Sequence, residues 1–488
     1  MPGNLSLWLT PLWFLSVGVT LGAAFLAVLY GLLWLVSRPA AAAVLRTVQE
    51  SVLQWISYVV LVYVALFFLA TPMMPWRNVI DSVRRLPSVG TNQVTVTIPP
   101  RTDDQEVAVK FQSDELQRYS IMADQDVIVG VEPKMAYSDP LIEVVADEPY
   151  VWTPSSKSER KFSGAITSLF VTNQSDLPAK LTIETMTDVP IVEVRQIFWT
   201  AAAVVAVYLI HLLQTWLLPR LSAVALATTK EAVAQPLYLL ALFGGMGLLL
   251  LYVIIPYNTM GEDIKMYKDS SMTTIMVLAI LVAVWTASVS VAEEIEGRTA
   301  LTLLSKPISR RQFVLGKFVG IVWPIFLMYV VLGAWMLIWV SYKVVYDARE
   351  TSNPDPTWQL CNGEMVSAIP GLVLAFLETV VLTAISVAIS TRLPMLPNLV
   401  ICGAIYALGH LGPLIVQSSA GQNEFVAFFG KFIPLIVPVL DHFNIQAAVA
   451  GGVPVPPTYL LWALLYCVLY SSAMMLLALI LFEDRDLA

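Results

Sequence analysis

The sequence predicts an all-α polytopic membrane protein of about nine transmembrane helices, with an inserted extracytoplasmic domain resembling a β-sandwich. Three observations predict it. Mean hydropathy is +0.72 and only 13% of residues are charged, where soluble domains carry about 25%. Uncharged apolar runs of about 20 residues recur, each long enough to cross a bilayer core as a helix. Between the early and later runs lies a polar block with period-two alternation and none of these long runs.

The predicted spans, in order, cover 12–36, 52–69, 197–218, 237–255, 273–291, 318–340, 368–390, 396–416 and 459–482. The first has no basic residue before it and is too long for a secretory h-region, so it reads as an uncleaved span. A further apolar run, 425–440, holds Pro434 and Pro438 and reads as re-entrant or interfacial. Arginine and lysine mark alternate connections as inside. They are Arg38 and Arg46, then Arg220 and Lys230, then Arg298, Lys306, Arg310, Arg311 and Lys317, then Arg392. The N-terminus and the polar block therefore fall outside and the C-terminus inside. The resulting organisation is a two-span segment at 1–76, a β-rich domain at 77–196, a third span at 197–219 and a six-span core at 220–488.

The net charge is −8, and about half of the acids lie in the polar block, so the acidity belongs to an extramembrane domain. No basic stripe suited to nucleic acid occurs. Short alternating or β-branched runs at 94–98, 107–111, 127–131, 141–145, 168–172 and 181–185 are separated by turn residues such as Pro99-Pro100 and Asp103-Asp104. That spacing suggests a small antiparallel sandwich. The block holds no histidine or cysteine and reads as a structural or docking domain. Cys361, Cys402 and Cys467 are widely separated, so neither a disulfide framework nor a zinc site is indicated.

The most informative stretch runs from Glu293 to Phe313. Glu293, Glu294 and Glu296 extend the end of a descending span, and Gly297 suits a helix stop. A short helical piece from Thr299 sets Leu301 and Leu304 on one face, and Pro307 ends it. Ser309-x-x-Gln312 forms a capping box for the next helix, with Arg310 and Arg311 set for anionic headgroups or a partner. An ordinary positive-inside loop accounts for the arginines but not for three acids beside a leucine cluster. Glu293, Glu294, Glu296, Gly297, Arg298, Pro307, Arg310 and Arg311 are therefore the candidate partner-docking residues.

The run Glu293–Arg311, followed by Leu315-Gly316-Lys317, resembles the cytoplasmic loop of ABC-2 type exporter permeases. It looks most similar to the branch associated with copper-enzyme and nitrous oxide reductase maturation. The ending Phe482-Glu483-Asp484-Arg485-Asp486-Leu487 resembles that family's Phe-x-x-Arg-Asp-Leu close. The likeness covers about 221–488; the upstream spans and the β-rich block depart from the family's basic plan. The resemblance implies a permease subunit in a bacterial cytoplasmic membrane. It would associate with a second permease copy or paralogue, amid membrane lipids. It would also contact a separate ABC ATPase through this loop and a preceding amphipathic helix at 221–235, where Thr228-x-x-Glu231 offers a capping box. The chain is then not itself an enzyme and holds no cofactor, ATP being bound by the partner.

Consistent with that, no P-loop is present: Gly316-Lys317 and Gly430-Lys431 each precede phenylalanine and lack the upstream glycine. Glu378 lies mid-span, where an acid is costly and by default faces the protein interior or an aqueous path; it is the candidate for the translocation path. A structural hydrogen bond to Thr379, Thr383 or a facing helix is the other reading. His211 and His410 are lone intramembrane histidines, and Gly316-x-x-x-Gly320 permits close helix approach. A second functional class stays open: a membrane-anchored assembly or sensing scaffold whose β domain binds an exported partner. A membrane-embedded enzyme is disfavoured, since no His-Glu-x-x-His or Gly-x-Ser-x-Gly occurs.

Overall fold

The computed structural model describes residues 3–133, 141–154, 162–255, 262–296, 308–351, 354–417 and 437–483. Two compact units result: Pro75–Phe198, and Met1–Met74 together with Trp199–Ala488. The larger unit begins with α1 (Gly3–Val36), α2 (Arg38–Glu50) and α3 (Leu53–Ala70). The smaller unit holds α4 (Trp76–Arg85), and α5 (Val194–Leu217) crosses from one unit to the other. Then come α6 (Pro219–Ala234), α7 (Pro236–Ile254), α8 (Asp263–Ala287), α9 (Arg310–Glu350), α10 (Trp358–Ser367), α11 (Ile369–Ser390), α12 (Met395–Gln417) and α13 (Pro457–Glu483).

Among the described residues, eight helical stretches are long and apolar enough to cross a membrane, α10 and α11 forming one of them. The ninth predicted run is α12, whose apolar part is the shorter Met395–Leu411. The predicted re-entrant run at 425–440 lies largely outside the described residues. Burial sorts the spans into layers. The most apolar windows of α8, α9 and α10–α11 are 67%, 61% and 72% buried, against 11–28% for α1, α3, α5, α7 and α13. The first set is therefore the inner layer, and the outer set presents apolar side chains suited to lipid tails. Core contacts run through Ile275, Ala279 and Ala283 of α8 and Ile325, Met328 and Leu332 of α9.

Helix α9 spans 41 residues, about 60 Å of helix, roughly twice a hydrocarbon core. Its start is set by the predicted capping box. Ser309 Oγ accepts from the Gln312 amide at 3.2 Å, and Gln312 Oε1 accepts from the Ser309 amide at 3.0 Å. The connection after α1, expected only as an inside loop, is the helix α2. Ser37 caps it and Pro39 occupies its first turn, where a missing N–H costs nothing.

The smaller unit is an antiparallel sandwich. Its strands are β1 (Thr91–Ile98), β2 (Thr102–Gln112), β3 (Leu116–Ala123), β4 (Val127–Gly130), β5 (Leu141–Val144), β6 (Tyr150–Trp152), β7 (Ala165–Asn173) and β8 (Ala179–Thr187). One sheet has the order β1-β8-β3-β6 and the other β2-β7-β4-β5. Six strands match the six predicted runs, β4 and β5 each ending one residue short of theirs. The seventh and eighth, β3 and β6, escaped the alternation signal. A register shift between Leu116 and Arg118 breaks the period in β3, and β6 has only three residues. The inner faces close over Tyr119, Trp152, Val129, Val171 and Ile183, with Tyr119 stacked on Trp152 at a ring separation of 5.6 Å.

Candidate functional site

The ends of α6, α8, α9 and α13 meet, and the sequence explains how. Pro324 lacks an N–H, so it leaves the carbonyl of Gly320, four residues earlier, without its helical partner. Thr229 of α6 fills that vacancy, its Oγ1 donating to Gly320 O at 2.9 Å. Such a contact needs α6 to lie almost on the α9 backbone, and Gly316 and Gly320 allow it. A Cβ on Gly320 would stand 2.7 Å from Ala225 O, and one on Gly316 would stand 2.7 Å from Val224 Cβ. The Gly-x-x-x-Gly pair is therefore used within the chain, against α6. Tyr238 of α7 adds a hydrogen bond to Pro324 O at 3.0 Å.

The Thr228-x-x-Glu231 capping box does not form. Helix α6 begins earlier, with proline at its first turn and no side-chain cap, and Thr228 is buried against Gly320. Proline and the periodicity of Leu221, Val224, Ala225 and Thr228 start the helix without it.

Beside this junction, α8 changes winding: Ser288–Glu293 is π-helical and Glu294–Glu296 returns to α. Such π segments occur often at functional sites. Glu294 reaches Lys317 of α9, with Oε1 2.6 Å from Nζ. Lys317 is 3% exposed, so its ammonium is held off water by this pair and by the Phe313 ring at 5.7 Å. Glu231 of α6 shares the same field. Burial above all raises its carboxyl above the ordinary 4.5; Lys317 pulls it down, while Glu294 and Glu293 push it up. Glu293 itself is exposed.

Arg310 turns back onto the end of α13. Its Nη1 donates to Glu483 O at 2.9 Å, and its guanidinium lies 5.7 Å from the Phe482 ring centre. Phe313 stacks on Phe482 at 5.7 Å. Cations at a helix C-terminus satisfy orphan carbonyls and oppose the dipole. Arg311 is exposed and makes no ion pair among the described residues. Of the candidate docking residues, Glu293, Glu294, Arg310 and Arg311 thus gather at one end of the helices. Glu296 is described in its backbone alone. Gly297, Arg298, Pro307 and the predicted helical piece from Thr299 lie outside the described residues, as does the ending from Asp484 onward.

On the same end, Asn398 of α12 ties α8 to α11. Its Nδ2 lies 2.9 Å from Ser288 Oγ, 2.8 Å from Ser386 Oγ and 2.9 Å from Ser390 Oγ, all four residues being fully buried. Two N–H protons serve three hydroxyls, so the π segment and α11 compete for one amide.

Glu378 is fully buried. Neither nearby threonine takes it: Thr379 pairs with Tyr329 Oη at 2.9 Å, and Thr383 donates to Thr379 O at 2.7 Å. Its titratable neighbour is His410 of α12, Nε2 to Oε1 3.5 Å. The two intramembrane groups that look isolated in sequence thus face each other. At the opposite end of α8 and α9, Asp263, Asp347 and Glu350 converge within 4.8 Å. Lys343 Nζ sits 2.9 Å from Asp347 and 3.7 Å from Asp263, which makes the cluster an ion-pair network.

In the sequence Lys317 figures only as an inside-marking residue and as part of Leu315-Gly316-Lys317, and Thr229 not at all; neither is among the candidate site residues. The usable signal was Lys317 set among Phe313, Gly316 and Gly320 on one helix face, an ammonium beside a stripe built for close packing.

No curated protein matches the chain. The family described as ABC-2 family transporter protein matches residues 105–487. The match starts within β2, so the likeness reaches further upstream than 221–488 and takes in most of the β-rich unit. Members of that family are membrane components of transport, not themselves catalytic, and generally work with an ABC ATPase. The chain belongs to the ABC-2 transporter family and is a transmembrane transporter component.

Proposed function

We propose that the chain is the permease subunit of an ATP-driven exporter of a bacterial cytoplasmic membrane, driven by a separate ATPase docked at the α6–α8–α9 end. The observation that carries this reading is the junction itself. Helix α6 is locked to α9 by the glycine contacts and the Thr229–Gly320 bond. Helix α9 is locked to the end of α8 by Lys317–Glu294. A push on α6, or on the loop beyond Glu296, therefore travels into the two long helices of the inner layer. Glu293 and Arg311 are charged and exposed at that end, available to an ATPase surface. Two such permeases would face each other, the N-terminus and β-rich unit outside, and rock between inward- and outward-open states. The Glu293–Arg311 likeness favours the copper-enzyme-maturation branch. Glu378 of the inner layer, facing His410 of α12, is the group assigned to the translocation path.

The test is co-purification from native membranes with mass-spectrometric identification of P-loop ATPases. The double charge reversal Glu293→Lys with Arg311→Glu should abolish ATPase association, whereas Glu378→Gln should leave association intact and lower ATP-driven transport. Unchanged association and ATPase stimulation in the charge-reversed protein would refute the docking role.

A further inference from the structure

A chamber of about 250 Å³ opens where α2, the start of α3, the end of α5, the start of α6 and Trp323 of α9 meet. Within its largely apolar wall a few polar groups are pre-ordered. Gln214 Oε1 accepts from Trp323 Nε1 at 3.1 Å, and Ser222 Oγ donates to Gln214 O at 3.2 Å. His211 lines the chamber at 8% exposure, and its Nδ1 has no protein partner. Arg46 and Glu50, one turn apart on α2, stand at the rim; both are exposed, and neither makes an ion pair among the described residues. The chamber thus offers one cation, one anion and one unsatisfied buried ring nitrogen.

Two apolar grooves leave it, one on each side of α5. A groove of about 830 Å³ shares Thr47 and Thr215 with the chamber and runs past Leu209 and Leu213. Another of about 320 Å³ shares Gln214 and Trp323 and runs past Val322, Phe326 and Phe376. The chamber lies at the ends of spans, with Trp216 beside it, the depth at which headgroups and interfacial tryptophans lie. Its volume is just below the about 300–1,000 Å³ of a drug-sized site, which suits a headgroup whose two tails lie elsewhere.

We propose that this chamber binds a zwitterionic phospholipid bearing a primary amine, its phosphate on Arg46, its ammonium on Glu50 and one acyl chain in each groove. Glu50 disfavours a purely anionic headgroup through like-charge repulsion. It prefers a primary ammonium, which donates hydrogen bonds, over a quaternary one, which has no N–H to give. His211 Nδ1 adds a hydrogen bond inside the chamber. The lipid would wedge α2 and α5 against the first turns of α6, beside the α6–α9 junction.

The test supplies the purified full chain with vesicles of phosphatidylethanolamine, phosphatidylcholine or phosphatidylglycerol and counts retained lipid by native mass spectrometry. Phosphatidylethanolamine should be retained about tenfold over the other two, the worth of one charge-assisted hydrogen bond. Glu50→Gln should erase the preference over phosphatidylcholine. Arg46→Gln should lower retention of all three. Ala223→Trp, an exposed position on the chamber wall, should block retention in a protein that still elutes as wild type. Inorganic phosphate should not displace the lipid. Equal retention of the three lipids, a preference for phosphatidylglycerol, or undiminished retention in Ala223→Trp would overturn the assignment.

Discussion

Replacing Lys317 by Met keeps the length of the side chain and removes the buried cation that pairs with Glu294 in the α6–α8–α9 junction. Removing one partner of a buried ion pair costs about 3–5 kcal/mol when the other charge stays dry. Glu294 is 21% exposed, so water reaches part of its carboxylate and the expected cost falls to about 2–4 kcal/mol. Acidity then gives a second readout. Glu231's carboxyl is raised by burial and lowered only by Lys317, so it rises further in the variant. A folded carboxyl that binds protons more tightly than the unfolded one makes stability fall as pH climbs from the ordinary 4.5 through the raised value. In Lys317→Met that window reaches to higher pH, so the deficit should shrink as the buffer goes from about pH 8 to about pH 5. Thermal unfolding of the detergent-purified chain at the two pH values measures it. The double variant Lys317→Met/Glu294→Gln should recover much of the loss, since no charge is then stranded. A variant that melts like wild type at both pH values, or a double variant no better than the single, would refute the keystone role of Lys317.

Gly320→Ala should destabilise by about 1–3 kcal/mol, because its Cβ meets backbone that must shift. Gly247→Ala, with open space around it, should be neutral or stabilising by up to about 1 kcal/mol on helix propensity; the same thermal assay compares them. Asn398→Ala should cost about 1–3 kcal/mol, two interhelical hydrogen bonds at membrane values plus a small cavity, and raise amide exchange in Ser288–Glu293. Residues 75–198 carry their own core, so that fragment alone should give a β-type circular dichroism spectrum with a cooperative melt. Trp152→Ala should lower its stability by about 3–5 kcal/mol.

The spans were legible because a bilayer demands long uncharged runs and nothing else in the chain supplies them. The capping box at Ser309 and Gln312 was legible for a similar reason: its chemistry is local, and both hydrogen bonds lie within four residues. What hid was non-local. Gly316 and Gly320 announce a close approach without saying to what, and the partner is α6, about 90 residues upstream by chain order. Glu378 and His410 sit in different helices, so each looked alone. Strand β3 hid behind its bulge, because a single extra residue reverses the alternation that reveals a strand. Thr228 looked like a cap by its spacing to Glu231, but packing against Gly320 won over the local motif. At the candidate site the exposed charges were readable, whereas the buried lysine that joins them to the inner helices was not.

The central claim is that an ATPase bears on the end of the bundle where α8 finishes and α9 begins. A photo-crosslinking amino acid at Arg311, compared with one at Arg349, tests it on a single helix, since the two exposed positions lie at opposite ends of α9. In native membranes, irradiation should join the Arg311 position to a P-loop ATPase and leave the Arg349 position unjoined to it. An ATPase adduct at Arg349, or none at Arg311, would contradict the account.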